Sequence, residues 1–172
     1  MKRRKKFISD KKQRGEWAES LFLARANELG VIVSKPWGDS RSFDFVVGRP
    51  GYFSAVQVKC TTAKVRYGAG YVCKVCGNRN KRYPRGSFDF LAAYVVPKDL
   101  WYIVPENKVW GMKTVCLFTE RNKARYEAYL EAWHLLWRAP EAGTGIEIHA
   151  CVDEALQHED GMGWKGKMDL IQ

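Results

Sequence analysis

Two β-type runs joined by a tight turn constrain the fold of this chain more than any other feature. The run SFDFVVG (42–48) is separated from YFSAVQVKC (52–60) by Arg-Pro-Gly, a tripeptide that favours a turn. Both runs are rich in the β-branched and aromatic residues that suit a pleated, half-buried surface. We therefore expect residues 42–60 to form a β-hairpin.

The rest of the chain predicts more strands and two long helices. A second hairpin is expected from FDFLAAYVV (88–96) and LWYIVP (100–105), with a turn at 97–99. Shorter strands are expected at 31–36, near 71–75 in an otherwise irregular stretch from 61 to 87, as an edge strand within 109–118, and at 146–152. Apolar residues at helical spacing predict helices over about 13–29, ending at Gly30, and about 122–138, ending before Pro140.

This order of elements predicts an α/β or α+β domain in which helices flank a central mixed β-sheet. A chain of 172 residues is long enough for one such domain. We expect a basic arm over residues 1–12, a folded domain over 13–138 and a partly loose C-terminal extension over 139–172.

The positive charge is concentrated in two segments. The net charge is +10 overall, but residues 1–14 carry +7 and residues 45–88 carry nine Lys or Arg and no acid, so the remainder is acidic. Such segregation favours a polyanion partner, because Lys and Arg release counterions from phosphates. The candidate nucleic-acid contacts are Arg3, Arg4, Lys64, Arg66, Lys81, Arg82 and Arg85. No apolar run is long enough to span a bilayer, so we expect no membrane partner.

One strand brings polar groups together in a pattern that suits metal chemistry. In AVQVKC (55–60), alternation puts Gln57 and Lys59 on one face and the apolar residues on the other. The preceding hairpin strand can place Asp44 beside them. A carboxylate and an amide oxygen are hard ligands that suit Mg²⁺, and a lysine can stabilise charge that develops on phosphorus. The pattern therefore suits metal-assisted chemistry at a phosphorus centre.

The stretches RGEWAESL (14–21), GDSRSFDFVV (38–47) and AVQVKC (55–60) resemble the PD-(D/E)XK nuclease superfamily. They are most similar to a branch that has Gln in place of the second acid, which includes some group I intron homing endonucleases. The similarity continues through GSFDFLAAYVVPKDLWYIVP and RYEAYLEAWHLL, so it covers roughly residues 12–138. It implies a restriction-endonuclease-like core, DNA as the substrate, and Mg²⁺ as the cofactor, with Mn²⁺ able to substitute.

The resemblance also implies a role for each site residue. Asp44 would be the principal metal ligand, and Gln57 would take the position of the second acidic ligand. The backbone carbonyl of Val58 would complete the ligand set, and Lys59 would be the catalytic lysine. Glu16, on the first helix, would contact the metal directly or through water.

Several alternatives remain at this point. The superfamily's proline before the aspartate is Phe43 here, and Gln57 removes one negative charge, which makes Glu16 more important. Glu19 is the alternative acid on the same helix. Asp39 is expected to form a turn with Gly38, and Asp89 to form a structural hydrogen bond. The missing second acid also motivates a second hypothesis, a catalytically inactive nuclease-like protein that binds nucleic acid.

The cysteines point to a reducing compartment. Five Cys is an odd number, which argues against a disulfide scaffold and favours the cytoplasm. Cys73 and Cys76 form a C-x-x-C-G pattern, but a structural zinc needs four ligands, so we expect no zinc there. A zinc-stapled adaptor remains the third hypothesis. A nuclease with one site per chain would need a homodimer to cut both strands, so a homodimer is a possible assembly.

Overall fold

Regular structure begins with one long helix, α1 (Lys11–Glu28), in a computed structural model that describes residues 8–38, 41–66, 68–119 and 124–137. Asp10 caps the helix, since its carboxylate accepts a hydrogen bond of 2.7 Å from the backbone N–H of Gln13. The chain leaves the helix through Gly30, whose φ of 74° is left-handed. The first predicted helix is therefore confirmed, with its start two residues earlier than expected.

Five strands form the central sheet. They are β1 (Ile32–Ser34), β2 (Phe45–Arg49), β3 (Tyr52–Thr61), β5 (Phe90–Val95) and β6 (Leu100–Pro105), and their order in the sheet is β1-β2-β3-β5-β6. Neighbouring strands are antiparallel except for β3 and β5, which run parallel. Both predicted hairpins are confirmed, and the sheet is mixed as expected.

A second sheet of two strands covers one face of the central sheet. It pairs β4 (Gly70–Lys74) with β7 (Thr114–Phe118), and a short helix, α2 (Glu106–Val109), precedes β7. The expected strand near 71–75 is confirmed. The strand expected within 109–118 is also present, but it pairs with β4 and does not extend the central sheet.

The alternation along β5 divides the hydrophobic core into two parts. Ala92 and Tyr94 face α1 and its buried residues Ala18, Phe22 and Ala26. The intervening β5 residues face the opposite side, where residues of β4 and β7 cover them. The mixed central sheet with a helix packed on one face confirms the predicted α/β class, whereas the other face is covered by β4 and β7 and not by a second long helix.

The prediction of a long helix over 122–138 is wrong for the part that the structure describes. Residues 124–137 contain only two short 3-10 turns, Glu127–Tyr129 and Trp133–Leu136. Tyr126 packs into the core on the β4–β7 side, whereas Trp133 packs on the α1 side. Between these two residues, the segment passes around the outer strand β6, where Leu130 pairs with Tyr102. A single straight helix would put Tyr126 and Trp133 on the same side, so it could not bury both. The expected strand at 146–152 lies outside the described residues.

Candidate active site

The candidate site lies where β3 loses its neighbour. The last β2–β3 pair is Phe45 with Val56, so the edge of β3 beyond Val56 is open on that side. Asp44 immediately precedes β2, and its backbone N–H still donates to the carbonyl of Val56 at 2.9 Å. Its side chain therefore reaches along the open edge, toward the backbone groups that β2 leaves unpaired.

Asp44 and Gln57 are directly connected. The carboxylate oxygen Oδ2 of Asp44 accepts hydrogen bonds from the side-chain amide of Gln57 and from the backbone N–H of Val58, the latter at 2.7 Å. The Gln57 amide also donates to the Val58 carbonyl at 3.2 Å. Gln57 is only 4% exposed, and a buried amide is costly unless it is hydrogen-bonded. The carboxylate and the Val58 carbonyl thus converge on one electropositive group.

Burial raises the pKa of Asp44 above its usual value of 3.8. The hydrogen bond from Val58 N–H opposes this effect, the nearby charge of Glu19 raises the pKa further, and the ammonium groups of Lys59 and Lys35 lower it. A carboxylate in this position therefore favours any additional cation beside it.

One cleft contains these groups together with part of α1. Its lining residues are Lys11, Gly15, Ala18, Glu19, Asp44, Gln57, Val58, Lys59 and Cys60. Four residues singled out in the sequence, Asp44, Gln57, Val58 and Lys59, thus meet in one place. The ammonium of Lys59 lies 5.7 Å from the ring centroid of Tyr83.

Glu16 does not line this cleft, whereas Glu19 does. The side chain of Glu16 is 62% exposed, and its carboxylate lies 3.9 Å from the ammonium of Lys12. Glu19 is 26% exposed and accepts a hydrogen bond of 3.0 Å from Lys35. The alternative acid of the sequence analysis is therefore the one beside Asp44. Lys35 is a further cation near the site that the sequence interpretation missed, since a lysine after a short strand gives no signal of its own.

The other predicted residues have separate locations. Lys64, Arg66, Lys81, Arg82 and Arg85 are exposed, and the Arg85 guanidinium lies 5.8 Å from the ring centroid of Trp110. Arg3, Arg4 and Asp39 lie outside the described residues. Asp89 accepts a hydrogen bond of 2.7 Å from the backbone N–H of Ala55, which confirms its expected structural role.

The two cysteines of the C-x-x-C-G pattern are both buried. Burial, with a smaller effect of nearby Cys60, raises the pKa of the Cys73 thiol to about 12, so the thiolate that binds metal is disfavoured. Within the described residues, no three His, Cys, Asp or Glu side chains are grouped so that they could hold a metal ion. The oxygen atoms around Asp44 are of a different kind, because an amide and a backbone carbonyl are among them.

Comparisons with known proteins agree with this geometry. Residues 9–136 match the PD-(D/E)XK endonuclease family. The chain is 33% identical over 110 residues to protein 5.3 of Escherichia phage T7, an alignment that covers 63% of this chain and 91% of the phage protein. It is also similar to the structure of a bacterial homing endonuclease, I-Ssp6803I, with a TM-score of 0.61 and 33% identity over 74% of this chain and 91% of that one. None of the described helices is long and apolar enough to cross a membrane. A match over most of the chain, a shared mixed-sheet fold and the cleft at the open edge of β3 lead to one conclusion: this chain belongs to the PD-(D/E)XK endonuclease family.

Proposed function

We propose that this chain is a Mg²⁺-dependent endonuclease that hydrolyses phosphodiester bonds in DNA. The observation that carries the proposal is the convergence of Asp44, Gln57 and Lys59 on one cleft beside the Val58 carbonyl. The exposed basic residues and the net charge of +10 supply the attraction for a polyanionic substrate.

The donor groups of the cleft fit a hard divalent ion. Asp44 and Glu19 offer carboxylate oxygens, Gln57 an amide oxygen and Val58 a carbonyl oxygen, which is the oxygen-only set that Mg²⁺ and Mn²⁺ prefer. The Gln57 amide donates to both the Asp44 carboxylate and the Val58 carbonyl, so these two oxygens already face one positive group. A turn of that amide would direct its own oxygen to the same place.

The residues of the chain would then have separate roles in the reaction. When bound, the divalent ion would polarise a phosphoryl oxygen and lower the pKa of a bound water. Lys59 would donate N–H groups to the scissile phosphate and stabilise the charge that grows on it in the transition state. Lys64, Lys81 and Arg82 would hold flanking phosphates, contacts that give position and affinity without sequence choice.

A plasmid-nicking assay with Mg²⁺ tests the proposal. Asp44→Asn and Lys59→Met should each lower the cleavage rate by about 100-fold or more, since the first removes the carboxylate that would hold the ion and the second removes the positive charge that would stabilise the reacting phosphate. Glu28→Gln is the matched control, because Glu28 pairs with Arg25 at the far end of α1 and takes no part in the cleft. Equal cutting by wild type, Asp44→Asn and Lys59→Met would refute the assignment.

One specific observation favours a second candidate, a nuclease-like protein that binds nucleic acid without cutting it. Gln57 is neutral, and its hydrogen bonds satisfy the Asp44 carboxylate without any ion. A titration with Mg²⁺ and Mn²⁺ separates the candidates. Salt-sensitive DNA binding with no metal binding would support the binding protein, whereas a saturable metal site lost in Asp44→Asn would support the nuclease.

Double-strand cleavage would require two such clefts. The described residues of one chain form one such cleft, so we propose a homodimer as the form that cuts both strands. Sedimentation in the presence of a short duplex tests this assembly, and a strictly monomeric complex that yields linear plasmid in one encounter would contradict it.

A further inference from the structure

The ammonium of Lys59 lies next to an aromatic ring, and the charge of Asp44 acts on it from outside ion-pair distance. The Nζ of Lys59 lies 5.7 Å from the ring centroid of Tyr83, and within the described ranges it forms no ion pair with Asp or Glu. We propose that Tyr83 is a positioning residue for Lys59, and that the turn containing Cys73 and Cys76 serves to hold Tyr83 in place. This inference rests on the proposed function only for the role of Lys59 in hydrolysis.

An aromatic ring suits this task better than a carboxylate. The negative face of the ring attracts the ammonium at this separation, yet it leaves the positive charge in place. A carboxylate would form charge-assisted hydrogen bonds with the ammonium and compete with a phosphate for them. Held by Tyr83, Lys59 keeps its N–H donors available to a substrate phosphate.

Tyr83 is itself fixed on two sides. Its ring packs edge-on against buried Phe88, with the centroids 5.4 Å apart. It also lies beside Gly77, since a Cβ atom added at that glycine would be 3.5 Å from the ring. The backbone N–H of Gly77 donates to the carbonyl of Lys81 at 2.9 Å, so the chain between them closes into a loop that ends beside Tyr83.

The cysteine pattern builds the base of that loop. Cys73 and Cys76 are buried, and the Lys74 ammonium donates to the side-chain oxygen of Asn80 at 2.7 Å. Arg79 and Asn80 both adopt left-handed backbone conformations, with φ of 54° and 58°, which allow the chain to reverse tightly. The C-x-x-C-G pattern thus contributes packing and turn geometry, and these hold Tyr83 in position.

The same loop carries the basic residues that flank Tyr83. Lys81, Arg82 and Arg85 are exposed within four residues of it. A DNA backbone held by these residues therefore binds to the element that supports Lys59. Binding of the flanking phosphates and the position of Lys59 are therefore linked through the side chain of Tyr83.

Nuclear magnetic resonance of the full chain without metal tests the contact directly. The ring current of Tyr83 should shift the ε-methylene signal of Lys59 upfield, with the signal assigned by its loss in Lys59→Arg. The shift should persist in Tyr83→Phe and vanish in Tyr83→Leu. An identical Lys59 signal in wild type and Tyr83→Leu would overturn the proposal, whether or not the protein cuts DNA.

Cleavage kinetics test the consequence. Tyr83→Leu should lower the single-turnover rate about fivefold, with DNA affinity in Ca²⁺ unchanged, and Tyr83→Phe should restore the rate. Tyr129→Leu is the matched control, because Tyr129 is also a half-buried aromatic packed on the same core cluster and lies outside the cleft. An equal loss in Tyr129→Leu, or in Tyr83→Phe, would show that the ring face of Tyr83 does not act on Lys59.

Discussion

Burial determines the chemistry of Asp44 more than its charged neighbours do. Desolvation is the largest influence on its pKa, and it exceeds the opposing hydrogen bond from Val58 N–H and the two nearby ammonium groups. Burial therefore disfavours the ionised form of this carboxylate, and a cation beside it would offset that penalty. The same burial that makes it a candidate ligand makes the metal-free site sensitive to pH.

Asp44→Asn should stabilise the metal-free protein by an amount that grows with pH. Because the folded pKa is raised above 3.8, the protonated carboxyl stabilises the fold most below that pH. In the wild type this stabilising contribution is lost as the pH rises from 3.8 through the raised pKa of folded Asp44. The Asp44→Asn variant has no carboxyl group to ionise at this position, so its stability lacks this dependence. Urea unfolding of both proteins in EDTA across this window measures the difference. A constant difference at every pH would contradict the prediction.

Glu19 and Glu16 provide a matched pair on one helix. Both accept a lysine partner, but only Glu19 lines the cleft and influences the Asp44 pKa. If the proposed ion binds in the cleft, Glu19→Gln should lower Mg²⁺ affinity and the cleavage rate about tenfold or more, because it removes one of the two carboxylates that line the cleft. Glu16→Gln should change both by less than about twofold. Isothermal titration and plasmid nicking measure these effects, and the reverse ranking would return the role to Glu16.

At the scale of elements, the site depends on where strands end. β2 pairs with β3 only as far as Val56, and this early end leaves the Val58 N–H and carbonyl free for Asp44 and Gln57. On the other side, β5 pairs with β3 as far as Thr61 and fixes its direction. Beyond Val56, one edge of β3 is therefore paired with β5, while the other edge is left to Asp44 and Gln57.

The segment that passes around β6 stabilises the same sheet. Glu131 accepts hydrogen bonds from the backbone N–H of Trp101 at 2.6 Å and from the indole of Trp133 at 2.8 Å. The Trp133 ring stacks on Phe22 of α1 with centroids 5.6 Å apart. This segment thus connects the helical layer to the edge of the sheet.

Trp133→Ala should lower the free energy of unfolding by about 3–5 kcal/mol, since it empties a buried aromatic site between α1 and β6. Trp110→Ala is the control, because Trp110 is 56% exposed and should cost about 1 kcal/mol or less. Equilibrium unfolding in urea gives both values. Equal effects would mean that the aromatic contacts of Trp133 do not hold the layers together.

At the scale of the whole molecule, charge is distributed unevenly along the chain. The excess of positive charge is concentrated in residues 1–14 and 45–88, whereas the remainder carries a net negative charge. The cleft lies on the folded domain beside the second basic segment. Attraction for a polyanion is therefore local, and the acidic remainder disfavours contact elsewhere.

Neutralising Lys81, Arg82 and Arg85 together should weaken DNA binding mainly at low salt. The slope of log K against log salt should become less steep by about three, because roughly 0.9 counterion is released for each phosphate contact. Arg49→Ala is the control, since Arg49 belongs to the same basic segment but ends β2 at the opposite end from Asp44. Fluorescence anisotropy at several salt concentrations measures both slopes. An unchanged slope in the triple variant would remove this loop from the interface.

The sequence by itself determined the features that depend on local periodicity and local turns. Both hairpins, the first helix and the shared face of Gln57 and Lys59 follow from spacing along a few residues, and the family follows from short stretches that carry the site. Only the tertiary structure decided which acid of α1 enters the cleft, because Glu16 and Glu19 are three residues apart and both lie off the apolar stripe. It alone decided the course of residues 124–137, whose aromatic spacing imitates a helix although Tyr126 and Trp133 enter cores on opposite faces of the sheet. The partner of Lys59 and the raised pKa of Asp44 likewise arise from contacts between residues far apart in the chain, which no local pattern encodes.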